Sequence, residues 1–240
     1  MTVSPNANTT VVLVHGAFAE NSSWNGVIER LTQSGVRAFA ASNPLRSLTG
    51  DAQYVGDVVR GVDGPVVLVG HSYGGMVITQ AAASADNVQA LVYVGAFAPD
   101  TGESALQLTD RFPGSSLDRA VSGVPLATGE TDLTIRPEVF REQFCADVDA
   151  DTAALMAATQ RAISDRALSE PLTTSTPAWR SLRSWFVSGG ADKNIPAAAI
   201  AFFAERAGSE GTTVVADASH AIAVSQPDVV TRTILAAITR

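Results

Sequence analysis

The sequence contains a single cysteine, Cys145, so no disulfide can form within the chain. This cysteine usage is typical of a reducing compartment, and we expect a cytoplasmic protein with a buried, unreactive thiol. Residues 1–6 carry neither a basic segment nor an apolar core, which predicts that no secretory signal is present. No apolar run approaches the ~18 residues that a transmembrane helix needs, so we expect no membrane span.

Basic residues are also few, and they are scattered. Sixteen Lys and Arg stand against 24 Asp and Glu, which gives a formal net charge of −8. An acidic chain with no basic patch is a poor partner for phosphate backbones, so we expect no nucleic-acid binding. The sequence does not determine the oligomeric state, and a homodimer stays an open alternative.

Metal and phosphate motifs are missing as well. The three histidines, His15, His71 and His220, are far apart and do not form a ligand set with one cysteine. The glycine-rich segment 70–75 lacks the lysine of a phosphate-binding loop. We therefore expect neither a metal nor a cofactor.

Apolar runs alternate with segments of helical periodicity over much of the chain. With 46% hydrophobic residues, 240 residues can form the core of one domain. The alternation predicts a mainly parallel sheet flanked by helices. We predict strands at 11–14, 36–40, 65–69, 88–94, 183–187 and 212–216. We predict helices at 24–33, 51–60, 73–83, 196–207 and 226–239.

A Gly-X-Ser-X-Gly motif, residues 70–74, lies directly between a predicted strand and a predicted helix. This is the nucleophile elbow of the α/β-hydrolase fold, in which a sharp turn presents the serine above the sheet. Gly70 and Gly74 are small because the turn brings the helix close to the strand. The motif therefore predicts Ser72 as the nucleophile of an acyl-transfer reaction.

In this fold the acid and the base follow the nucleophile, in that order. His220 follows the last predicted strand and is our candidate for the base. His71 lies inside the elbow and should turn away from the substrate. His15 ends the first strand, where we expect it to have a structural hydrogen-bonding role.

Asp192 is our candidate for the acid, since it lies on a glycine-rich turn after the fifth predicted strand. It should accept a hydrogen bond from His220 and stabilise the imidazolium. Two alternatives stay open. In the first, Asp192 is only a solvated charge that pairs with Lys193. In the second, Asp100, after the fourth strand, is the acid.

The oxyanion formed during acyl transfer needs two backbone N–H donors. We predict those of Tyr73, after the nucleophile, and Ala17, after the first strand, with Phe18 as the alternative to Ala17. Phe18 and Phe97 follow strand ends, so we predict that both line the substrate pocket.

The alternation fails between about residues 100 and 178, where no convincing buried strand is evident. Helical candidates lie at 103–110, 137–145, 149–162 and 164–169. About 80 residues is long for one crossover connection. We interpret residues 100–178 as a helical cap over the active site, within a single domain spanning 1–240.

Four segments, 12–17, 68–75, 92–100 and 218–221, resemble bacterial α/β-hydrolases related to plant methyl esterases and hydroxynitrile lyases. The resemblance implies cofactor-free hydrolysis of small carboxylic esters. It also implies an eight-stranded, mainly parallel sheet with one reversed strand, and a small helical cap.

Together these features predict a carboxylesterase-type serine hydrolase that cleaves small esters or lactones through an acyl-enzyme. One alternative is a C–C lyase that uses the same triad. The related plant lyases carry a threonine where this chain has Gly16, and a lysine where it has Ala221, which argues against that activity. Another alternative is a ligand-binding protein with a vestigial triad, which a serine-reactive probe would distinguish from an enzyme.

Overall fold

Residues 8–239 are described by a computed structural model. The expectation about a secretory signal falls on residues outside this range. The strands are β1 (Thr10–Val14), β2 (Arg37–Ala41), β3 (Val66–His71), β4 (Val88–Val94), β5 (Val121–Pro125), β6 (Thr131–Ile135), β7 (Ile163–Ser164), β8 (Arg183–Gly189) and β9 (Gly211–Val215). The α-helices are α1 (Asn25–Gln33), α2 (Leu48–Arg60), α3 (Gly74–Ala81), α4 (Ala105–Arg111), α5 (Pro137–Phe144), α6 (Ala150–Thr159), α7 (Asp165–Ser169), α8 (Ala197–Arg206), α9 (Ile222–Ser225) and α10 (Pro227–Thr239).

The main sheet has six parallel strands in the order β2-β1-β3-β4-β8-β9. These are the six strands predicted from the apolar runs, so the mainly parallel sheet is confirmed. The eight strands and the reversed strand implied by resemblance are wrong for residues 8–239. The outer strands explain where the sheet stops, since Arg37 in β2 and Thr212 and Thr213 in β9 are exposed polar residues suited to an edge.

The core lies on both faces of this sheet. Successive side chains of a strand point to opposite faces, so Val11 and Leu13 pack with α1 and α10. Val12 and Val14 pack in a second cluster with α2, α3 and α8. Burial of both faces explains why the central strands are continuous apolar runs rather than alternating ones.

The segment between β4 and β8 is not purely helical, which corrects the prediction for residues 100–178. The predicted helices are present as α4, α5, α6 and α7, but β5, β6 and β7 form a separate antiparallel sheet. Most residues of β5 are exposed, so this strand has no apolar run that sequence reasoning could detect. Ser164 N–H donates to the Leu45 carbonyl at 3.0 Å and ties the small sheet to the loop after β2.

Three other expectations concern a membrane span, a metal site and the state of Cys145. No helix within 8–239 is both long and apolar enough to cross a membrane. The same residues contain no cluster of three or more His, Cys, Asp or Glu arranged to hold a metal ion. Cys145 is buried, and burial raises the pKa of its thiol to about 12, so it stays protonated.

Candidate active site

Ser72 lies at the sharp turn between β3 and α3. Its φ angle is 55°, in the left-handed region that residues other than glycine rarely adopt. Its N–H donates to the Val94 carbonyl at 3.3 Å, and its own carbonyl accepts from Gly75 N–H at 3.0 Å. Strained backbone of this kind persists where surrounding contacts hold it, and it is concentrated at functional sites.

The glycines around Ser72 permit this close packing. A Cβ atom on Gly70 would lie 2.6 Å from the Gly74 carbonyl oxygen, and one on Gly74 would lie 2.5 Å from the Val14 carbonyl oxygen. The predicted reason for both glycines is confirmed. A Cβ on Gly16 would lie 2.6 Å from the Ser72 Cβ, so the loop after β1 packs directly on the elbow.

Asp192 and His220 form a buried pair. The Asp192 Oδ2 atom lies 2.7 Å from His220 Nδ1, and each side chain is 1% exposed. The other oxygen, Oδ1, accepts from the backbone N–H of Asn194 at 2.7 Å and of Ile195 at 2.9 Å. These bonds fix the carboxylate, which in turn fixes the imidazole ring with Nδ1 as the donor.

The two alternatives for Asp192 are not supported by the geometry. Lys193 does not pair with Asp192, because its Nζ contacts Glu142 at 3.0 Å on the surface. Asp100 accepts from Arg180 at 2.6 and 2.8 Å. This guanidinium lowers the pKa of Asp100. The structure therefore brings Asp192, and not Asp100, to His220.

The other two histidines are buried and serve the backbone. His15 Nδ1 donates to the Gly16 carbonyl at 2.9 Å, and its Nε2 accepts from Asn43 N–H at 3.2 Å. These two hydrogen bonds confirm the predicted structural role, and burial lowers the pKa of His15 to about 4. His71 Nε2 donates to the His220 carbonyl at 3.0 Å, and burial lowers its pKa well below the usual value.

Six of the seven residues predicted for the site line one cavity of about 190 Å³, and Asp192 lies behind His220. These six are Ala17, Phe18, Ser72, Tyr73, Phe97 and His220. His71 is absent from the lining, as expected for a side chain turned away from the substrate. No described residue, Ser72 included, hydrogen-bonds to His220 Nε2. Such bonds are often long without substrate and tighten when it binds.

The two residues predicted to supply the oxyanion donors both line this cavity. Among residues 8–239, neither the Ala17 nor the Tyr73 N–H has a backbone or side-chain acceptor. The alternative, Phe18, donates its N–H to the Arg161 carbonyl at 3.2 Å and is therefore engaged. This difference favours Ala17 over Phe18 as the second donor.

Sequence reasoning missed the residues that bind the Tyr73 side chain next to Ser72. The Tyr73 hydroxyl donates to Asp51 Oδ2 at 2.9 Å, and Asp51 Oδ1 accepts from Arg46 N–H at 3.1 Å. Burial raises the pKa of Asp51. No sequence signal marks this contact, because Asp51 belongs to α2 and meets Tyr73 only after the sheet has formed.

The end of α5 contacts the loops that follow Asp192 and His220, which sequence reasoning also missed. Gln143 Nε2 donates to the Lys193 carbonyl at 3.0 Å and to Asn194 Oδ1 at 2.6 Å. The Phe144 carbonyl accepts from Ala221 N–H at 3.0 Å. The segment between β4 and β8 is thus hydrogen-bonded to residues that directly follow Asp192 and His220.

A larger cleft of about 470 Å³ lies beyond Phe18, between the loop after β1 and α6. It shares Phe18 with the smaller cavity but contains neither Ser72 nor His220. The residues predicted to carry the chemistry therefore lie at the smaller cavity and not at this cleft.

Comparison with known proteins agrees with this architecture. A carbendazim hydrolyzing esterase from Nocardioides sp. (strain SG-4G) is 34% identical over 110 residues, which is 40% of this chain and 46% of the esterase. The match thus spans about half the length of that relative. Polyneuridine aldehyde esterase has the same fold with a TM-score of 0.80 at 20% identity, over 95% of this chain and 98% of that one. A methylesterase from Arabidopsis has a TM-score of 0.77 at 17% identity, over 96% of this chain and 98% of that one.

The family comparison covers far more of the chain than the sequence match to the Nocardioides esterase. Residues 11–233 match the alpha/beta hydrolase family, and they extend from β1 into α10. The matched range includes Ser72, Asp192 and His220. The chain therefore belongs to the alpha/beta hydrolase family.

Proposed function

We propose that the protein is a serine hydrolase that cleaves small carboxylic esters or lactones through an acyl-enzyme intermediate. The observation that carries this proposal is the buried Asp192–His220 pair, whose histidine lines the same cavity as Ser72. The family match and the esterases among the similar proteins support it. In this proposal the enzyme is a cytoplasmic carboxylesterase without a metal, cofactor or nucleic-acid partner.

Acylation begins when Ser72 Oγ attacks the substrate carbonyl carbon. His220 Nε2 takes the hydroxyl proton, and Asp192 stabilises the imidazolium through Nδ1–H. Collapse of the tetrahedral intermediate breaks the bond to the alcohol, which receives the proton from His220. Water then attacks the acyl-enzyme by the same steps and releases the acid.

The N–H groups of Ala17 and Tyr73 bind the oxyanion in both tetrahedral intermediates. Fixed donors in a site with little water stabilise developing charge without reorganising, and losing one costs about 3–4 kcal/mol of barrier. Asp51 contributes by holding the Tyr73 side chain, so the donor stays aligned.

We further propose that the insertion between β4 and β8 caps this site. Its apolar side chains Leu106, Leu117, Val121, Leu133 and Leu168 line the same cavity as Ser72. Phe18, after β1, and Phe97, after β4, also line it. A cavity of about 190 Å³ with this lining suits a small, apolar acyl group.

The charges around the cavity favour neutral substrates. Among the described residues that line it, none is Lys or Arg, whereas Asp110 and Asp118 lie at its exposed rim. An anionic acyl group would meet two carboxylates and no cation. We therefore expect neutral esters to be cleaved in preference to anionic ones of the same size.

A fluorophosphonate probe tests the proposal directly. We expect labelling of the folded protein, with the modified peptide containing Ser72, and no labelling of Ser72→Ala. A chain-length panel of p-nitrophenyl esters and lactones then defines the substrate. Folded protein that neither reacts with the probe nor cleaves any ester would show the fold to be a binding protein instead.

A further inference from the structure

Asn194 carries a buried amide group with a donor that has no partner. The residue is 4% exposed, lies two positions after Asp192 and lines the catalytic cavity. Its Oδ1 atom accepts from Gln143 Nε2 at 2.6 Å. Its Nδ2 atom is buried, and none of residues 8–239 accepts a hydrogen bond from it.

The orientation of this amide is fixed by its neighbours. Gln143 Nε2 must be a donor, because it also donates to the Lys193 carbonyl at 3.0 Å. The other end, Gln143 Oε1, accepts from the Ser116 hydroxyl at 2.8 Å. Rotating the Asn194 amide by half a turn would place two NH₂ groups against each other. Nδ2 therefore stays the end without an acceptor.

The cavity offers little else that could bind a polar group. Thr109 also lines it, but its hydroxyl donates to the Ala105 carbonyl at 2.9 Å. The Tyr73 hydroxyl is taken by Asp51. Asp110 and Asp118 only accept hydrogen bonds when they are ionised. Apart from the proposed catalytic groups, Asn194 is therefore the described lining residue whose neutral side-chain donor has no acceptor.

A buried donor without a partner is unfavourable, and native structures retain few of them. A ligand oxygen that completes the bond removes this cost. We propose that Asn194 Nδ2 donates a hydrogen bond to a second oxygen of the substrate, close to the scissile ester. The substrate class is therefore a neutral ester whose acyl or alcohol part carries an ether, carbonyl or hydroxyl oxygen. This inference rests on the proposed ester hydrolysis.

Two pairs of isosteric esters test it, since each pair exchanges one CH₂ for an ether oxygen. The acyl pair is p-nitrophenyl butyrate and p-nitrophenyl methoxyacetate. The alcohol pair is butyl acetate and 2-methoxyethyl acetate. The measurement is kcat/KM for each ester, divided by its rate of hydroxide hydrolysis to remove differences in intrinsic reactivity.

In at least one pair we expect the wild-type protein to prefer the ether ester by about 3- to 10-fold, the effect of one hydrogen bond. Asn194→Leu should abolish this preference, because leucine has a similar volume but no donor. Thr109→Val is the matched control, and it should keep the preference, since that hydroxyl is bonded within α4. If Asn194→Leu fails to fold, Asn194→Asp keeps the acceptor for Gln143, and it should lose the preference too.

The outcomes separate this inference from the proposed function. If the wild-type protein cleaves both members of each pair with no corrected preference, Asn194 does not bind substrate and the inference is wrong. The same holds if Asn194→Leu slows both esters equally and keeps the wild-type preference. If the folded wild-type protein cleaves none of the four esters, the proposed function fails, and this inference fails with it.

Discussion

His71 Nε2 lies 3.0 Å from the carbonyl oxygen of His220, and the two ring centroids are 4.6 Å apart. The residue before the candidate nucleophile therefore holds the backbone of the candidate base. Burial lowers the pKa of His71, and the neighbouring His220 lowers it further, so the ring stays neutral. A neutral neighbour adds no positive charge when His220 becomes an imidazolium during acyl transfer.

The first prediction concerns this bond. His71→Leu removes the donor and leaves the buried His220 carbonyl unpaired, whereas His71→Gln keeps an N–H donor. We expect kcat to fall about tenfold in His71→Leu, because a misplaced base costs catalysis more than binding. KM should change little, and His71→Gln should recover part of the rate. Steady-state kinetics on one p-nitrophenyl ester measures both constants, and a loss confined to KM would contradict the positioning role.

The second prediction separates activity from strain at Ser72. Ser72→Ala and His220→Ala should each lower kcat by about 10⁴- to 10⁶-fold, and the double variant little more, since the residues act as a unit. Ser72→Gly should be equally inactive but more stable than Ser72→Ala by about 1 kcal/mol, because glycine adopts a positive φ without strain. Thermal unfolding of the two variants measures the difference. A Ser72→Ala protein with more than a few per cent of wild-type activity would refute the nucleophile assignment.

The third prediction concerns the acid. Asp192→Asn should lower kcat by about 10⁴-fold, because the amide cannot hold His220 in the required tautomer. Asp100→Asn is the matched control and should change kcat little, since Asp100 pairs with Arg180. Both variants should unfold cooperatively by circular dichroism. The opposite ranking of the two rates would move the acid to the end of β4.

The candidate acid also shows where sequence reasoning reaches its limit. Chain order placed Asp192 and Asp100 after neighbouring strands, and both strand ends approach His220. A Cβ atom on Gly95, directly after β4, would lie 3.9 Å from His220 Nδ1, but glycine brings no carboxylate there. Asp100 lies five residues further on. Only the folded structure shows which carboxylate reaches His220 Nδ1. From the sequence, both Asp192 and Asp100 therefore stayed candidates for the acid.

The other features that the sequence predicted or missed have similar physical causes. The six strands were predictable because burial on both faces requires continuous apolar runs. The elbow was predictable because its glycines are fixed by local crowding. The β5–β6 hairpin was not, since Ser122, Gly123 and Val124 are exposed and show no periodicity. The partners of Tyr73 and Asn194 were not, because Asp51 and Gln143 are distant in sequence and meet them only through tertiary packing.

The fourth prediction is a loss of stability in mild acid. Burial lowers the pKa of His15 from 6.5 to about 4 in the folded protein, and it lowers that of His71 in the same direction. The unfolded chain therefore binds these protons more readily, so stability is full above pH 6.5 and declines as the pH falls toward 4. His15 alone should account for about 2 kcal/mol by pH 5.

Urea unfolding from about pH 7 to about pH 5 measures this decline. His15→Gln and His71→Gln should each flatten the dependence, because each removes one group that takes up a proton on unfolding. A free energy of unfolding that stays constant over this range in the wild-type protein would show that neither ring is held neutral.

The last prediction is that the enzyme hydrolyses esters and has little cyanohydrin lyase activity. The related plant lyases use a threonine at the position of Gly16 to contact the substrate hydroxyl. Here a Cβ atom on Gly16 would lie 2.6 Å from the Ser72 Cβ, so a side chain would require the backbone to move. The lyases also use a lysine at the position of Ala221 to favour departing cyanide, and alanine carries no charge. Lys193 does not replace it, because it is paired with Glu142 at the surface.

We therefore expect p-nitrophenyl acetate or butyrate to turn over, while cleavage of mandelonitrile stays near the uncatalysed rate. Ser72→Ala is the control for both reactions, since either one would depend on the same serine. The measurement is p-nitrophenolate release against benzaldehyde release at equal enzyme concentration. Efficient benzaldehyde release without ester hydrolysis would assign the triad to carbon–carbon cleavage, with a cation other than Lys193 assisting the departure of cyanide.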